Sequence, residues 1–475
     1  MKLIDSCWIN GLEVKPNSDL VVEDPAERVP IAAVPIAGKE EVQLAVEAAQ
    51  KAFILWKSLP AEKRSEALYR LGLSIKAHRD ELALILSREA GKPIRAAQSE
   101  VESSVDFLLY CAEEIKRLRG IAGDRFFILR EPVGVCAIIT PFNYPLSTLV
   151  TKIGPALATG CTVVIKPDEH TPLSTLLIAK LAHDAGFPPG VINVVTGPGI
   201  PTGEALLDHP AVRAISFTGS TETGKLIYAR SSQFVRRLVL ELGGNCPALI
   251  ASDARWQSHI KAMVQQTFKN SGQYCYRITR FIVHESIYEE FAENFVKVTK
   301  ELKVGHPRIP ETDLGPLNNQ RIYERFCQQV ERVFAGGAKL LCGKLPDRKE
   351  ASSSYYCSPM VFSDIPENIG VAQDEFFGPV AFLFRYQTDE EALRLANASR
   401  FGLAAYIFTE DVNRISLWMN NIEAGSLWVN SIHQARFEAP FGGYKESGLG
   451  REKSFAGFEA FTELKTVYWN VFEKT

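Results

Sequence analysis

Over the first quarter of the chain, apolar residues recur with helical spacing. Val42, Ala45, Val46 and Ala49 stand at i, i+3, i+4 and i+7 with charged residues on the other face, which predicts an amphipathic helix from Lys39. The helical pattern continues to about Leu118. Pro60 opens a helix over 63–78, and Gly91-Lys92-Pro93 breaks the next. At Glu131 the period changes. Short apolar runs at 133–140, 161–165, 191–195, 214–217 and 238–242 predict strands, alternating with helices at 146–158, 173–185, 203–207 and 224–230. Strands that are apolar throughout and alternate with helices predict a parallel sheet covered on both faces. Such sheets bind ligands beyond the carboxyl ends of their strands. A second alternation follows, with strands at 246–251, 280–283, 380–385 and 426–429 and helices at 260–268, 288–303 and 390–397. The last run, 461–472, predicts a strand with no partner of its own, an edge that invites another subunit.

A chain of 475 residues exceeds what one hydrophobic core spans, so two or three domains are expected. The net charge of −3 is dispersed, and no basic stripe offers a grip on nucleic acid. Nine cysteines, odd in number and without a CxxC pair, argue against a disulfide framework; eight histidines without ligand spacing give no expectation of a metal. Met1-Lys2-Leu3-Ile4-Asp5 begins no apolar leader, and no stretch reaches membrane-spanning length. A cytoplasmic location is the expectation.

The chemistry gathers at strand ends. Cys275 lies in Ser271-Gly-Gln-Tyr-Cys275, and Glu241 lies upstream in Glu241-Leu-Gly-Gly244. Thiol attack on a carbonyl followed by base-assisted hydrolysis needs such a pair. Most free cysteines only fill buried space, and the setting is what separates Cys275 from the other eight. Gly219-Ser-Thr-Glu-Thr-Gly224-Lys225-Leu226 nearly spells a P-loop. Leu226 stands where the Mg²⁺-binding hydroxyl is required, which argues against triphosphate hydrolysis. The segment reads either as an anion-receptive helix start or as a glycine turn capped by Ser220 or Thr221. In Lys166-Pro-Asp-Glu169, the Glu169 carboxylate suits ribose hydroxyls and repels a 2′-phosphate; it equally favours a helix N-terminus. In Pro141-Phe-Asn143-Tyr-Pro145, the Asn143 amide is placed either to donate to an oxyanion or to close a turn.

In this order, these segments resemble the aldehyde dehydrogenase superfamily from end to end: Phe217-Thr-Gly-Ser220, Glu241-Leu-Gly-Gly244, Gly272-Gln-Tyr-Cys275, Glu375-Phe-Phe-Gly-Pro379, Pro440-Phe-Gly-Gly-Tyr-Lys-Glu-Ser-Gly448 and Gly450-Arg-Glu452. The resemblance implies an α/β fold with a Rossmann-type cofactor domain (1–118 and 139–242), a second α/β catalytic domain (243–445) and a small β oligomerisation arm (119–138 and 446–475). It implies oxidation of a small aldehyde to its acid with hydride transfer to NAD, or NADP, through a Cys275 thiohemiacetal and thioester. Glu241 is then the hydrolytic base, Asn143 the oxyanion donor and Lys152 a member of a proton relay. Contacts to the cofactor are implied for Ile139, Thr140, Pro141, Phe142, Lys166, Glu169, Gly199, Phe217, Gly219, Ser220, Leu242, Glu375 and Phe377. Tyr144, Tyr274, Tyr276 and Arg436 are implied for the substrate pocket, with Ser147, Ile432, His433 and Phe437 near them. Arg451 and Glu463 are implied as a structural pair near a dimer contact, in a homodimer or homotetramer. The chain departs from the family at a short hairpin between Arg119 and Phe127, at Phe142 in place of Trp, and at Thr151. There, one group of succinate-semialdehyde enzymes carries an anion-binding Arg. Hydroxylated or acidic small aldehydes lead as substrates. The alternatives are a non-catalytic dinucleotide-binding or structural protein on the same fold, or a P-loop phosphotransferase.

Overall fold

The computed structural model describes residues 3–469 apart from 119, 124, 348, 350–353 and 435. Arg119, at the expected hairpin start, and 470–472, at the expected end of the last strand, lie outside the described residues.

The first sheet has eight strands. From edge to edge they are Leu12–Val14, Cys7–Ile9, Ile192–Val194, Thr162–Lys166, Val135–Ile139, Val212–Thr218, Arg237–Glu241 and Gly448–Leu449. The five central strands are parallel. Every residue of Val135–Ile139 is buried, and its side chains alternate between two cores. Val135, Ala137 and Ile139 pack in one core with Val42, Ala45, Val46 and Ala49 of the Lys39–Ser58 helix. Cys136 and Ile138 face the other core, with Leu68, Leu108, Leu149 and Ile153. Full burial of each such Val, Leu or Ile contributes about 1.5–3 kcal/mol.

Strand order reverses beside Val135–Ile139: the next two strands in sequence stack on one side, and Val212–Thr218 lies on the other. A crevice therefore opens beyond Ile139 and Thr218. The second sheet runs Lys339–Cys342, Met360–Ser363, Val380–Tyr386, Ile278–His284, Cys246–Ile250, Ala404–Phe408 and Ser426–Val429, parallel except for its first pair. Only Leu242 to Asn245 separate the two sheets.

Three expectations are corrected. The terminal strand, Thr462–Tyr468, has a partner in its own chain: it pairs antiparallel with Phe126–Pro132, which in turn pairs with Ile121–Ala122. The expected arm boundary at 138 cuts through Val135–Ile139, which belongs wholly to the first sheet, as does Gly448–Leu449. Arg451 does not meet Glu463. It donates to the Gly443 and Gly450 carbonyls, while Glu463 pairs with Arg237 at 2.9 Å. Among the described residues, no helix is long and apolar enough to cross a membrane.

Candidate active site

The crevice at the strand reversal is a cavity of about 370 Å³, and its wall joins both halves of the chain. All thirteen residues expected to contact a cofactor line it, together with Asn143 and Cys275. Ile139 and Thr140 sit at the end of one strand. Thr218, Gly219 and Ser220 follow another and lead into the Thr221–Ser231 helix, where Ser220 Oγ accepts from Thr223 N. Free N–H groups at this helix start suit a phosphate.

Sequence reasoning missed the opposite wall. Asn319, Arg321, Ile322, Arg325, Phe326 and Gln329 come from the start of the Gln320–Ala335 helix. Its signal was present: Ile322, Phe326, Val330 and Val333 follow helical spacing after Asn319, whose Oδ1 caps Ile322 N at 3.1 Å.

The wall fits a dinucleotide. Thr140 Oγ1 and Thr218 Oγ1 are buried there without a hydrogen-bond partner. Lys166, Arg321 and Arg325 bring positive charge, and Glu169 and Glu375 bring acceptors for hydroxyls. Lys166 Nζ donates to the Pro167 carbonyl at 2.9 Å and stands 3.7 Å from Glu169. Ligand atoms of Asp168, Glu169 and His170 lie within 4.8 Å of one another. His170 is bonded to Asp168 and Lys166 stands beside Glu169, so the cluster is balanced by its own neighbours.

The nucleophile loop is bent hard. Asn270, Ser271 and Gly272 have φ of +53°, +57° and +72° in succession, a strain that concentrates at functional sites. A Cβ at Gly272 would stand 2.2 Å from the Gly378 carbonyl, so only glycine admits the Glu375–Pro379 segment there. Arg277 fastens that segment from the other side, donating to the Phe376 and Val380 carbonyls at 2.7 Å. A Cβ at Gly244 would stand 2.1 Å from the Cys275 carbonyl, which brings the Glu241–Gly244 turn against the nucleophile. Asn143 Nδ2 donates to the Gln273 carbonyl at 2.9 Å and Asn270 donates back to the Asn143 carbonyl, so the amide is held with one N–H left over.

Electrostatics separate the groups. Burial, then the charges of Glu375, Cys246 and Glu241, push the half-buried Cys275 thiol well above its ordinary range. Burial pushes Glu375 up to about 7, against the N–H of Gly244 that its carboxylate accepts at 3.0 Å. Glu241 is 3% exposed, and neither of its oxygens has a partner. Burial and the neighbouring Glu452 raise it well above 4.5, opposed by Lys152, Arg451 and Lys453. Lys152 is fully buried and bonds Glu452 at 2.5 Å and Ser216 Oγ at 3.2 Å. Glu241 and Lys152 thus lie behind the wall of the cavity, not on it.

The expected substrate residues do not line the cofactor cavity. Tyr144, Tyr274 and Tyr276 form an edge-to-face series with centroids 6.3 and 5.1 Å apart. Tyr144 and Tyr276 keep some exposure, whereas Tyr274 is buried and its hydroxyl donates to the Gln266 carbonyl. His433 packs on Tyr276 at 4.4 Å, Phe437 on Phe107 at 5.3 Å, and Arg436 is exposed.

The sequence profile of the aldehyde dehydrogenase family matches residues 13–467. The mitochondrial succinate-semialdehyde dehydrogenase of Arabidopsis thaliana is 40% identical over 471 residues, covering 98% of this chain and 88% of that protein. The 3-sulfolactaldehyde dehydrogenase of Pseudomonas putida is 36% identical over 473 residues, covering 98% and 97%. Among solved structures, the betaine aldehyde dehydrogenase of Staphylococcus aureus in complex with NAD⁺ superposes with a TM-score of 0.95 at 32% identity, covering 100% of this chain and 96% of that one.

Proposed function

The chain belongs to the aldehyde dehydrogenase family, and from that premise we propose how its residues divide the reaction. The protein oxidises an aldehyde to the carboxylic acid through a cysteine thiohemiacetal and thioester. When bound, NAD or NADP supplies the hydride acceptor. The Cys275 thiol loses its proton to solvent and Sγ attacks the aldehyde carbon; the free N–H of the Asn143 amide, with the Cys275 backbone N–H, receives the oxyanion. Loss of hydride leaves the acyl group on sulfur. Glu241 takes a proton from the attacking water and returns it to the departing sulfur; Glu452 raises the basicity of the Glu241 carboxylate and Lys152 opposes that. The observation that carries this reading is the meeting of Asn143 and Cys275 on one cavity wall, with the unpartnered Glu241 carboxylate near enough for its charge to act on the thiol. The test is NADH formation from an aldehyde panel by wild type and Cys275→Ala. Turnover surviving the substitution overturns the mechanism.

We propose a short aldehyde carrying an anionic group as the substrate. Lys453 Nζ stands 5.1 Å over the Phe441 ring, which meets Tyr276 edge-on next to the nucleophile, and it brings positive charge there. Relatives acting on succinate semialdehyde and 3-sulfolactaldehyde support the same class. Glu169 on the cavity wall supports NAD over NADP. We divide the chain at the seam near Gly243 into a cofactor domain and a catalytic domain. Ile121–Ala122, Phe126–Pro132 and Thr462–Tyr468 then form the arm. Leu464, Tyr468 and Trp469 are 59%, 83% and 58% exposed on or just beyond its outer strand, which supports a homo-oligomer. A monomeric mass by light scattering would refute the assembly.

A further inference from the structure

Lys453 follows Glu452 in the chain and holds φ +60° and ψ −178°. Glycine occupies that region freely, and residues with a Cβ almost never do. Strain of this kind survives only where the surroundings dictate it, and it concentrates at ligand clamps and active sites. Here the surroundings do dictate it. Glu452 exchanges both backbone hydrogen bonds with Phe441 at 2.8 Å, Ser454 N donates to the Phe437 carbonyl at 2.7 Å, and Gly457 N donates to the Lys453 carbonyl at 2.7 Å.

The carboxylates that act on the side chain this backbone presents are Glu452 and Glu241. Lys453 is half-buried and forms no ion pair among the described residues; its Nζ stands 5.1 Å over the Phe441 ring. The adjacent Glu452 is taken by Lys152. Phe441 meets Tyr276 edge-on at 5.5 Å, and Tyr276 is the residue after the nucleophile. His433 packs on the same tyrosine, and burial, then Lys453 and Lys269, push it down to about 3, so it carries no charge at neutral pH. Lys269 likewise has no ion pair among the described residues. Lys453 is thus half-buried without an ion pair beside the ring that meets Tyr276, next to Cys275, whereas Lys269 is exposed. Desolvating an ammonium without compensation is unfavourable, and a ligand carboxylate would supply the missing partner.

We propose that Lys453 is a specificity-determining residue that holds the carboxylate of the aldehyde substrate. This rests on the anionic-aldehyde reading and adds the residue that enforces it. Lys453 transfers no proton and forms no covalent bond; it fixes the far end of the substrate so that the carbonyl reaches the sulfur.

The test compares kcat/KM for succinic semialdehyde with that for butanal, its uncharged analogue, in wild type, Lys453→Gly, Lys453→Met and Lys453→Arg. Glycine relieves the backbone strain while removing the cation, so Lys453→Gly should melt no lower than wild type, and misfolding does not confuse the result. The preference for succinic semialdehyde should fall about 10- to 100-fold in the Gly and Met variants, mainly through KM, and survive in the Arg variant. If wild type prefers succinic semialdehyde and Lys453→Gly keeps that preference, the role of Lys453 is overturned and the substrate class stands. An equal loss for both aldehydes would also overturn it, because Lys453 would then act on Glu241 or Cys275. If wild type shows no preference, the substrate class and the role of Lys453 fall together.

Discussion

Replacing Glu241 by Gln removes a base and a buried titrating group in one step, and the two consequences have opposite signs. General-base assistance contributes about 10²- to 10⁴-fold, so steady-state turnover should fall by that factor. Thiol attack and hydride loss precede hydrolysis and should survive. Rapid mixing of Glu241→Gln with aldehyde and NAD should therefore show one NADH per active site, followed by almost no turnover. Stability should move the other way. Burial and Glu452 hold the folded-state carboxyl well above 4.5, so the folded chain keeps its proton longer than the unfolded chain. Between those two values ionisation favours unfolding, and wild type loses about 1.4 kcal/mol per pH unit that the Gln variant does not lose. Urea unfolding of the two proteins should diverge as pH rises from about 5, with the variant gaining. The same raised ionisation means that deacylation by wild type accelerates as pH rises through the Glu241 range. A burst slowed as much as the steady state would place Glu241 before the thioester and refute the assignment. A stability difference independent of pH would refute the electrostatic account.

Lys152→Met leaves Glu452 buried and unpaired beside Glu241, which should cost about 3–5 kcal/mol in urea unfolding. Adding Glu452→Gln should recover most of that, and strict additivity of the two losses would show that the pair is not coupled. Glu169→Ser should raise the ratio of kcat/KM with NADP to that with NAD by at least about tenfold, and an unchanged ratio would remove Glu169 from cofactor choice. Glu89 is fully buried and accepts from Leu173 N, Ser174 N and Ser174 Oγ, with burial raising it to about 7. Glu89→Gln should therefore gain on wild type by at most about 3 kcal/mol as pH rises from about 4.5 to 7, and a gain in the opposite direction would show that the native carboxylate is the stabilised form.

The legible parts of this fold are those in which burial alone sets the residue type. A central parallel strand is apolar on both faces, so Val135–Ile139 and its neighbours stood out as runs. The partner of Thr462–Tyr468 did not, because alternation shows that a strand has two faces and says nothing about which distant segment meets its edge. The far wall of the cavity was legible in principle, since the stripe Ile322, Phe326, Val330, Val333 has the helical period; the contribution of Arg321 and Arg325 depends on where that helix packs. Cys275, Glu241 and Asn143 were recognisable by type and order. The strain at Lys453 was not, because a backbone angle is not a property of the residue letter.

The position of the site follows from its need for two sheets. Glu241 is the last residue of a strand in the first sheet, and Cys275 stands just ahead of the Ile278–His284 strand in the second. A base near a thiol in one rigid element would be locked in a single hydrogen bond, whereas groups from two sheets can serve consecutive steps. The seam is closed by polar contacts rather than by a shared core: Asn143 to Gln273, Asn270 to Asn143, Asn318 to Glu89 and Arg308 to Asp24. The two sheets keep separate apolar clusters. Hydrogen bonds each contribute about 0.5–1.5 kcal/mol, far less than either core, so mild denaturant should loosen the seam first. Activity should then disappear at lower urea than the far-ultraviolet dichroism of the helices, and a dinucleotide held in the cavity, whose wall comes from both halves of the chain, should draw the two transitions together. Coincident transitions without cofactor would mean that the sheets unfold as one unit and that the seam is as strong as the cores it joins.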